Sequence, residues 1–140
     1  MFQKPLFKES LFLLILVAVL HTVAIKFFLY WSIFEFDSIM HFLGGMFVAV
    51  SSLWFYFYSD FFDPKSKKLK DFFVVAILTL AWVATMWEIF ELLTGLTFVF
   101  WYDYPYDTTL DFIMDFLGAS VACLYAYFRE ENFKDVFKNI

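Results

Sequence analysis

The stretch FFVVAILTLAWVATMWEIFELL, residues 72–93, decides the fold. It carries no lysine, arginine or aspartate, and it has the ~20-residue length that an α-helix needs to cross the hydrocarbon core of a bilayer. Its two ionisable side chains, Glu88 and Glu91, are spaced i, i+3 and so share one helix face near the end of the run. An apolar segment of this length that ends on paired carboxylates is a membrane span carrying something polar with it.

Three more stretches read the same way: 11–34, 39–58 and 110–128. The 140-residue chain is 63% hydrophobic, and phenylalanine alone occurs 23 times. Soluble domains average roughly 45–50% apolar residues, and a domain this small keeps too much surface wet to hide the excess. No segment alternates strongly enough for a barrel, which four strands could not close. The sequence therefore predicts an all-α fold: an integral membrane four-helix bundle, organised as one polytopic domain over residues 1–140.

Charge and cysteine content narrow the function classes. A net charge of −5 argues against a nucleic-acid partner, which requires a basic footprint. The single Cys123 excludes an intrachain disulfide and a cysteine metal cluster, and its apolar surroundings read as packing. Lys4 and Lys8 before an apolar run resemble the start of a signal peptide, but the run resumes through Phe27 to Phe34, as a full span does.

Orientation follows from the basic residues. Lys4 and Lys8 precede the first span. Lys65, Lys67, Lys68 and Lys70 lie between the second and third, and Arg129, Lys134 and Lys138 follow the fourth. An even number of spans puts all nine on one side, leaving Lys26 of the ten within a span. The positive-inside rule then expects both termini in the cytoplasm, with the protein multi-pass in the cytoplasmic (inner) membrane.

Ionisable residues inside spans are expensive and mark functional sites by default. The second span opens with Asp37 and His41 at i, i+4, the third closes with Glu88 and Glu91, and the fourth opens with Asp107, Asp111 and Asp115, each one turn deeper than the last. At about 1.5 Å per residue, His41 lies ~6 Å below Asp37, and Glu88 ~8 Å below the outer end of its span. These groups therefore share a height in the outer half of the bilayer. Their faces continue into small residues, Gly44 and Gly45, Ala81 and Ala84, and Gly118 and Ala119, which allow membrane helices to approach closely. The polar stripes should then face the bundle interior.

The chemistry follows from the residue types. So many carboxylates around one histidine cannot all stay ionised in a low-dielectric pocket unless protons or cations neutralise them. His41, Glu88 and Asp111 are the expected ligands of a divalent metal cation of unspecified identity, and Glu91 or Asp115 the expected base. Asp37 and Asp107 begin helices, where a carboxylate caps free N–H groups, and that is the role expected of them. Lys26, some eight residues from the outer end of the first span, is expected to pair with Asp115 or Glu88. His21, deeper still, reads as a hydrogen-bonded packing residue. The aromatic run from Phe98 to Tyr106 reads as an interfacial belt lying above the pocket.

Three segments carry a family resemblance. Asp37-Ser38-Ile39-Met40-His41-Phe42-Leu43-Gly44-Gly45, Trp87-Glu88-Ile89-Phe90-Glu91 and Asp107-Thr108-Thr109-Leu110-Asp111-Phe112-Ile113-Met114-Asp115-Phe116-Leu117-Gly118-Ala119 resemble elements of the YjdF-like bacterial inner-membrane proteins. A looser likeness links them to VanZ-like membrane proteins, from whose pattern Glu91 and Asp115 depart. The resemblance covers the second to fourth spans and implies a small polytopic protein of a bacterial cytoplasmic membrane. The VanZ-like group further implies an association with the cell envelope. Neither family implies a substrate.

These readings favour a small polytopic membrane protein with an outward-facing acidic and histidine site and leave its activity open; a metal-assisted hydrolase or transferase acting on a lipid or cell-envelope precursor stands narrowly first among the activities. A proton- or cation-coupled transporter or channel subunit would use the same acids as a relay, and a structural membrane protein would use them to fix helix register. No nucleophile elbow or phosphate loop points to a soluble-type mechanism.

Overall fold

A segment in hydrocarbon must satisfy its own backbone polar groups, so each apolar run closes a helical hydrogen-bond ladder. The computed structural model describes residues 6–33, 35–94 and 103–138, with side chains through Arg129. It contains α1 (Phe7–Phe27), a short α2 (Leu29–Ser32), α3 (Phe36–Tyr58), α4 (Leu69–Thr94) and α5 (Tyr104–Lys138), and no strand among the described residues. Four of these helices are long and apolar enough to cross a membrane: Phe7–Phe27, Phe36–Tyr58, Leu69–Thr94 and Tyr104–Arg129. The chain is a multi-pass membrane protein. Many large apolar side chains, Leu78, Trp82 and Phe12 among them, stay exposed, as lipid-facing groups do.

The bundle is built on α3, which packs against α1, α4 and α5, and most extensively against α5. Glycine makes that last contact. A β-carbon on Gly45 would overlap the backbone carbonyl of Asp115, and one on Gly118 would overlap the carbonyl of Phe42. The two helices thus meet backbone to backbone, the close approach that small residues permit where lipid offers no hydrophobic drive for association. Ala49, Leu53, Ala119, Ala122, Cys123 and Ala126 continue the buried seam away from the site. At its far end Phe57 stacks on Phe72, with ring centroids 4.7 Å apart. Cys123 is buried and free there, its thiol 3.7 Å from the Phe72 carbonyl.

The first span differs from its expected form. It does not run unbroken over 11–34, because α1 ends at Phe28, which adopts a left-handed φ of 57° and caps the carbonyls of Ala24 and Ile25. α2 then folds back, and a second left-handed residue, Glu35 at φ 55°, redirects the chain into α3. His21 holds this reversal through a 2.7 Å hydrogen bond between Nδ1 and the Tyr30 hydroxyl, and the Tyr30 ring meets Phe36 edge-on. The fourth span also starts earlier than 110. Tyr104 opens α5 with Pro105 in its first turn, where the missing N–H is no loss.

Candidate functional site

The end of the bundle at which α4 finishes and α3 and α5 begin collects the buried acids and the buried histidine among the described residues. His41, Glu88, Glu91, Asp111 and Asp115 are each less than a tenth exposed. The Gly45–Asp115 contact places His41 of α3, one turn before Gly45, beside the first turns of α5. Three aspartates surround its ring. Nε2 lies 3.7 Å from Oδ1 of Asp111 and 3.9 Å from Oδ1 of Asp37, and Nδ1 lies 3.5 Å from Oδ2 of Asp115.

These separations are longer than ordinary hydrogen bonds, and they suit a shared ion. Two ligand atoms each about 2.0–2.6 Å from one cation, at tetrahedral to octahedral angles, stand about 3–4 Å apart. One ligand atom from each of Asp37, His41 and Asp111 fits within a 4.8 Å cluster. The fourth group, Asp115, addresses the opposite ring nitrogen. A carboxylate there fixes the tautomer that leaves the other nitrogen free to bind a metal.

Glu88, expected beside His41 and Asp111, is not among the three residues that cluster. Its Oε2 accepts a 2.8 Å hydrogen bond from the Thr108 hydroxyl and a 3.3 Å one from the Tyr104 hydroxyl, which also lies 3.3 Å from the Glu88 backbone carbonyl. It ties the end of α4 to the start of α5. Asp37, expected to cap, instead directs its carboxylate to His41 from the first turn of α3. Residue 35 holds the N-cap position, without a side-chain cap. The i, i+4 spacing of Asp37 and His41 was the signal for this pairing. Asp107 lies in the first turn of α5, where the helix dipole favours a negative charge.

Glu91 accepts a 2.9 Å hydrogen bond from the indole N–H of Trp87. With Asp37, His41 and Asp115 it lines a cavity of about 610 Å³ between α1, α3 and α4, whose remaining walls are mostly apolar. Lys26 is the clearest departure from expectation. It is exposed, its ammonium sits 5.7 Å from the Phe27 ring centroid, and no described carboxylate pairs with it. The break at Phe28 explains this: Lys26 is in the last turn of its helix, where a cation suits the C-terminal dipole and a long stem reaches an interface.

The aromatic belt expected over Phe98 to Tyr106 lies outside the described residues up to Tyr102. Tyr104 and Thr108 are partners of Glu88 that carry no spacing signal in the sequence, whereas the i, i+4 spacing of Trp87 and Glu91 is one that could have marked their hydrogen bond. The family described as "Predicted membrane protein (DUF2238)" matches residues 2–132. No curated protein and no solved structure matches the chain.

Proposed function

This chain belongs to the DUF2238 family of predicted membrane proteins, and we propose that its buried Asp37, His41 and Asp111 bind a divalent cation at the membrane-embedded head of a catalytic cavity. One observation carries the reading: two aspartates face Nε2 of His41 at 3.7 and 3.9 Å while a third, Asp115, faces Nδ1. Burying that many carboxylates without a counter-charge is strongly unfavourable, and Lys26 does not supply one.

Bound there, a divalent cation would polarise a phosphoryl or carbonyl oxygen and sharpen the acidity of a water. Asp115 is a positioning residue that holds the His41 ring. Glu91, oriented by Trp87, is the carboxylate on the cavity wall able to accept a proton from a nucleophile. The reading is thus of a metal-assisted hydrolase or transferase whose substrate is a lipid or envelope precursor. Its site faces the outer leaflet if the lysine asymmetry sets orientation as usual, with both termini cytoplasmic.

Among the described residues, the buried seam below Asp115, formed by Ala119, Ala122, Cys123 and Ala126, holds no buried acid, lysine, arginine or histidine. That favours an enclosed site over a transport path. The finer likeness to YjdF-like proteins agrees with a bacterial inner membrane. Metal analysis of the purified protein tests the proposal. A stoichiometric divalent ion lost in His41→Ala and Asp111→Asn is expected, and a metal-free wild type that takes up no Mn²⁺, Mg²⁺ or Zn²⁺ would overturn it.

A further inference from the structure

We infer that the gap between α1 and α4 is a lateral port through which a membrane phospholipid lays one acyl chain in the cavity, with its phosphate at the Asp37–His41 end. The inference rests on the cation reading above for the headgroup, and on the cavity alone for the chain.

The walls make the port. Along its length α1 lies against α3, with Glu9 at its start tied to Arg129 and Tyr125 of α5, while α4 packs on α3 and α5; among the described residues α1 and α4 face each other across a space that neither closes. That space is the cavity of about 610 Å³, within the range of about 300–1,000 Å³ in which proteins hold small ligands. Both flanking helices are membrane spans, so the open side looks onto lipid rather than water. Val83 and Leu14, at its mouth, are partly exposed.

Its dimensions select the occupant. The lining extends from Leu14 to Ile25 on α1, from Asp37 to Val48 on α3 and from Leu80 to Glu91 on α4. At about 1.5 Å per residue each of these reaches ~16 Å, close to half of the ~30 Å hydrocarbon core. The cavity is therefore one leaflet deep, the reach of a single acyl chain. Its apolar length begins at the level of Leu14, Leu80 and Val48, and its polar groups, Asp37, His41, Glu91 and Asp115, gather at the opposite end. That is the polarity of a lipid, tail inward and head at the surface.

Charge narrows the headgroup. No lysine or arginine is among the described lining residues, and the polar end is acidic. Beyond the imidazoles of His21 and His41 the described lining offers no basic group, so a bound cation is what would bring a phosphate to that end. Asp37 and His41 belong both to the cation cluster and to the cavity wall, whereas Asp111 belongs to the cluster alone. A cation held by these three would therefore border the cavity on the Asp37 and His41 side, where a substrate oxygen could reach it.

The test uses the full-length protein in vesicles of phosphatidylethanolamine and phosphatidylglycerol, with a trace of phosphatidylglycerol carrying a diazirine midway along one acyl chain. Mn²⁺ binding is followed in parallel by its electron paramagnetic resonance signal. Photo-crosslinks are expected at Val17, Ala18 and Val83, increased by Mn²⁺. Ala18→Trp and Val83→Trp, which fill the port from opposite walls at exposed positions, should each reduce them about tenfold or more, with Mn²⁺ binding retained. Crosslinks spread evenly over outward residues such as Phe12 and Leu78, and indifferent to both substitutions, would overturn the port while leaving the cation site standing. Port crosslinks in a protein that binds no Mn²⁺ would overturn the cation-held headgroup and with it the proposed function.

Discussion

Gly45 of α3 lies so close beneath Asp115 of α5 that a methyl group on its α-carbon would overlap the Asp115 carbonyl oxygen. This backbone contact sets the register of the two helices that carry His41, Asp111 and Asp115. Helix packing and the site are therefore one structural unit, because the residue that permits the approach sits one turn from the histidine and directly against one of its aspartates.

Gly45→Val should accordingly separate α3 from α5 and damage the site together with the fold. Overpacking of a tight contact costs about 1–3 kcal/mol, so thermal unfolding in detergent should begin at lower temperature and Mn²⁺ affinity should fall. Gly44→Ala is the companion measurement. A β-carbon there meets only Asp115 Oδ1, at 3.9 Å, and both properties should stay near wild type. Equal behaviour of the two variants would contradict the backbone-contact account.

Asp115 lies 3.5 Å from Nδ1 of His41, and the proposed function makes it a positioning residue for that ring. Asp115→Ala should weaken metal affinity about 10–100-fold, the usual effect of losing such a partner, and Asp115→Asn should recover part of the loss by keeping a hydrogen-bonding group beside Nδ1. Because protons compete with the cation for His41 and the aspartates, affinity should rise with pH in every variant that still binds. Isothermal titration with Mn²⁺ at several pH values reads both effects. Unaltered affinity in Asp115→Ala would remove Asp115 from the site.

Lys26 has no carboxylate partner among the described residues, so its removal leaves no buried charge behind. Lys26→Met should change stability by less than about 0.5 kcal/mol, as exposed substitutions do, where breaking a buried pair would have cost about 3–5 kcal/mol. Thermal unfolding of this single variant separates the two. A large loss of stability would restore a buried ion pair.

The four spans were legible because length and hydropathy are strong signals, and the α3–α5 contact because Gly44-Gly45 and Gly118-Ala119 follow directly on polar stripes. The break after Phe27 was not. Phe28-Leu29-Tyr30 is as apolar as what precedes it, and a left-handed phenylalanine leaves no mark in composition. The misplaced depth of Lys26 followed from that one missed turn. Glu88 and Asp37 depart from expectation for a different reason, Glu88 tying α4 to α5 and Asp37 facing His41. Periodicity tells which residues share a face, but the rotation of α4 about its own axis is set by partners elsewhere, here Thr108 and Tyr104. A first-turn carboxylate such as Asp37 satisfies the capping rule, while its i, i+4 spacing to His41 equally allows the contact.

Orientation rests on the nine basic residues that share one side. Tyr106, which is exposed, offers a site for a single new cysteine, since Cys123 is buried. A membrane-impermeant thiol reagent applied to intact spheroplasts should label Tyr106→Cys, and a reporter fused after Ile140 should be cytoplasmic. Labelling only after permeabilisation would turn the site to the cytoplasmic leaflet.

Anomalous scattering from crystals grown with Mn²⁺ tests the central claim most directly. A peak is predicted between Asp37, His41 and Asp111, with ligand distances near 2.0–2.6 Å and His41 Nε2 as the nitrogen ligand. It should vanish in Asp111→Asn and persist in Glu88→Gln. A peak coordinated by Glu88, or no peak in a protein whose His41 and aspartates keep their places, would contradict it.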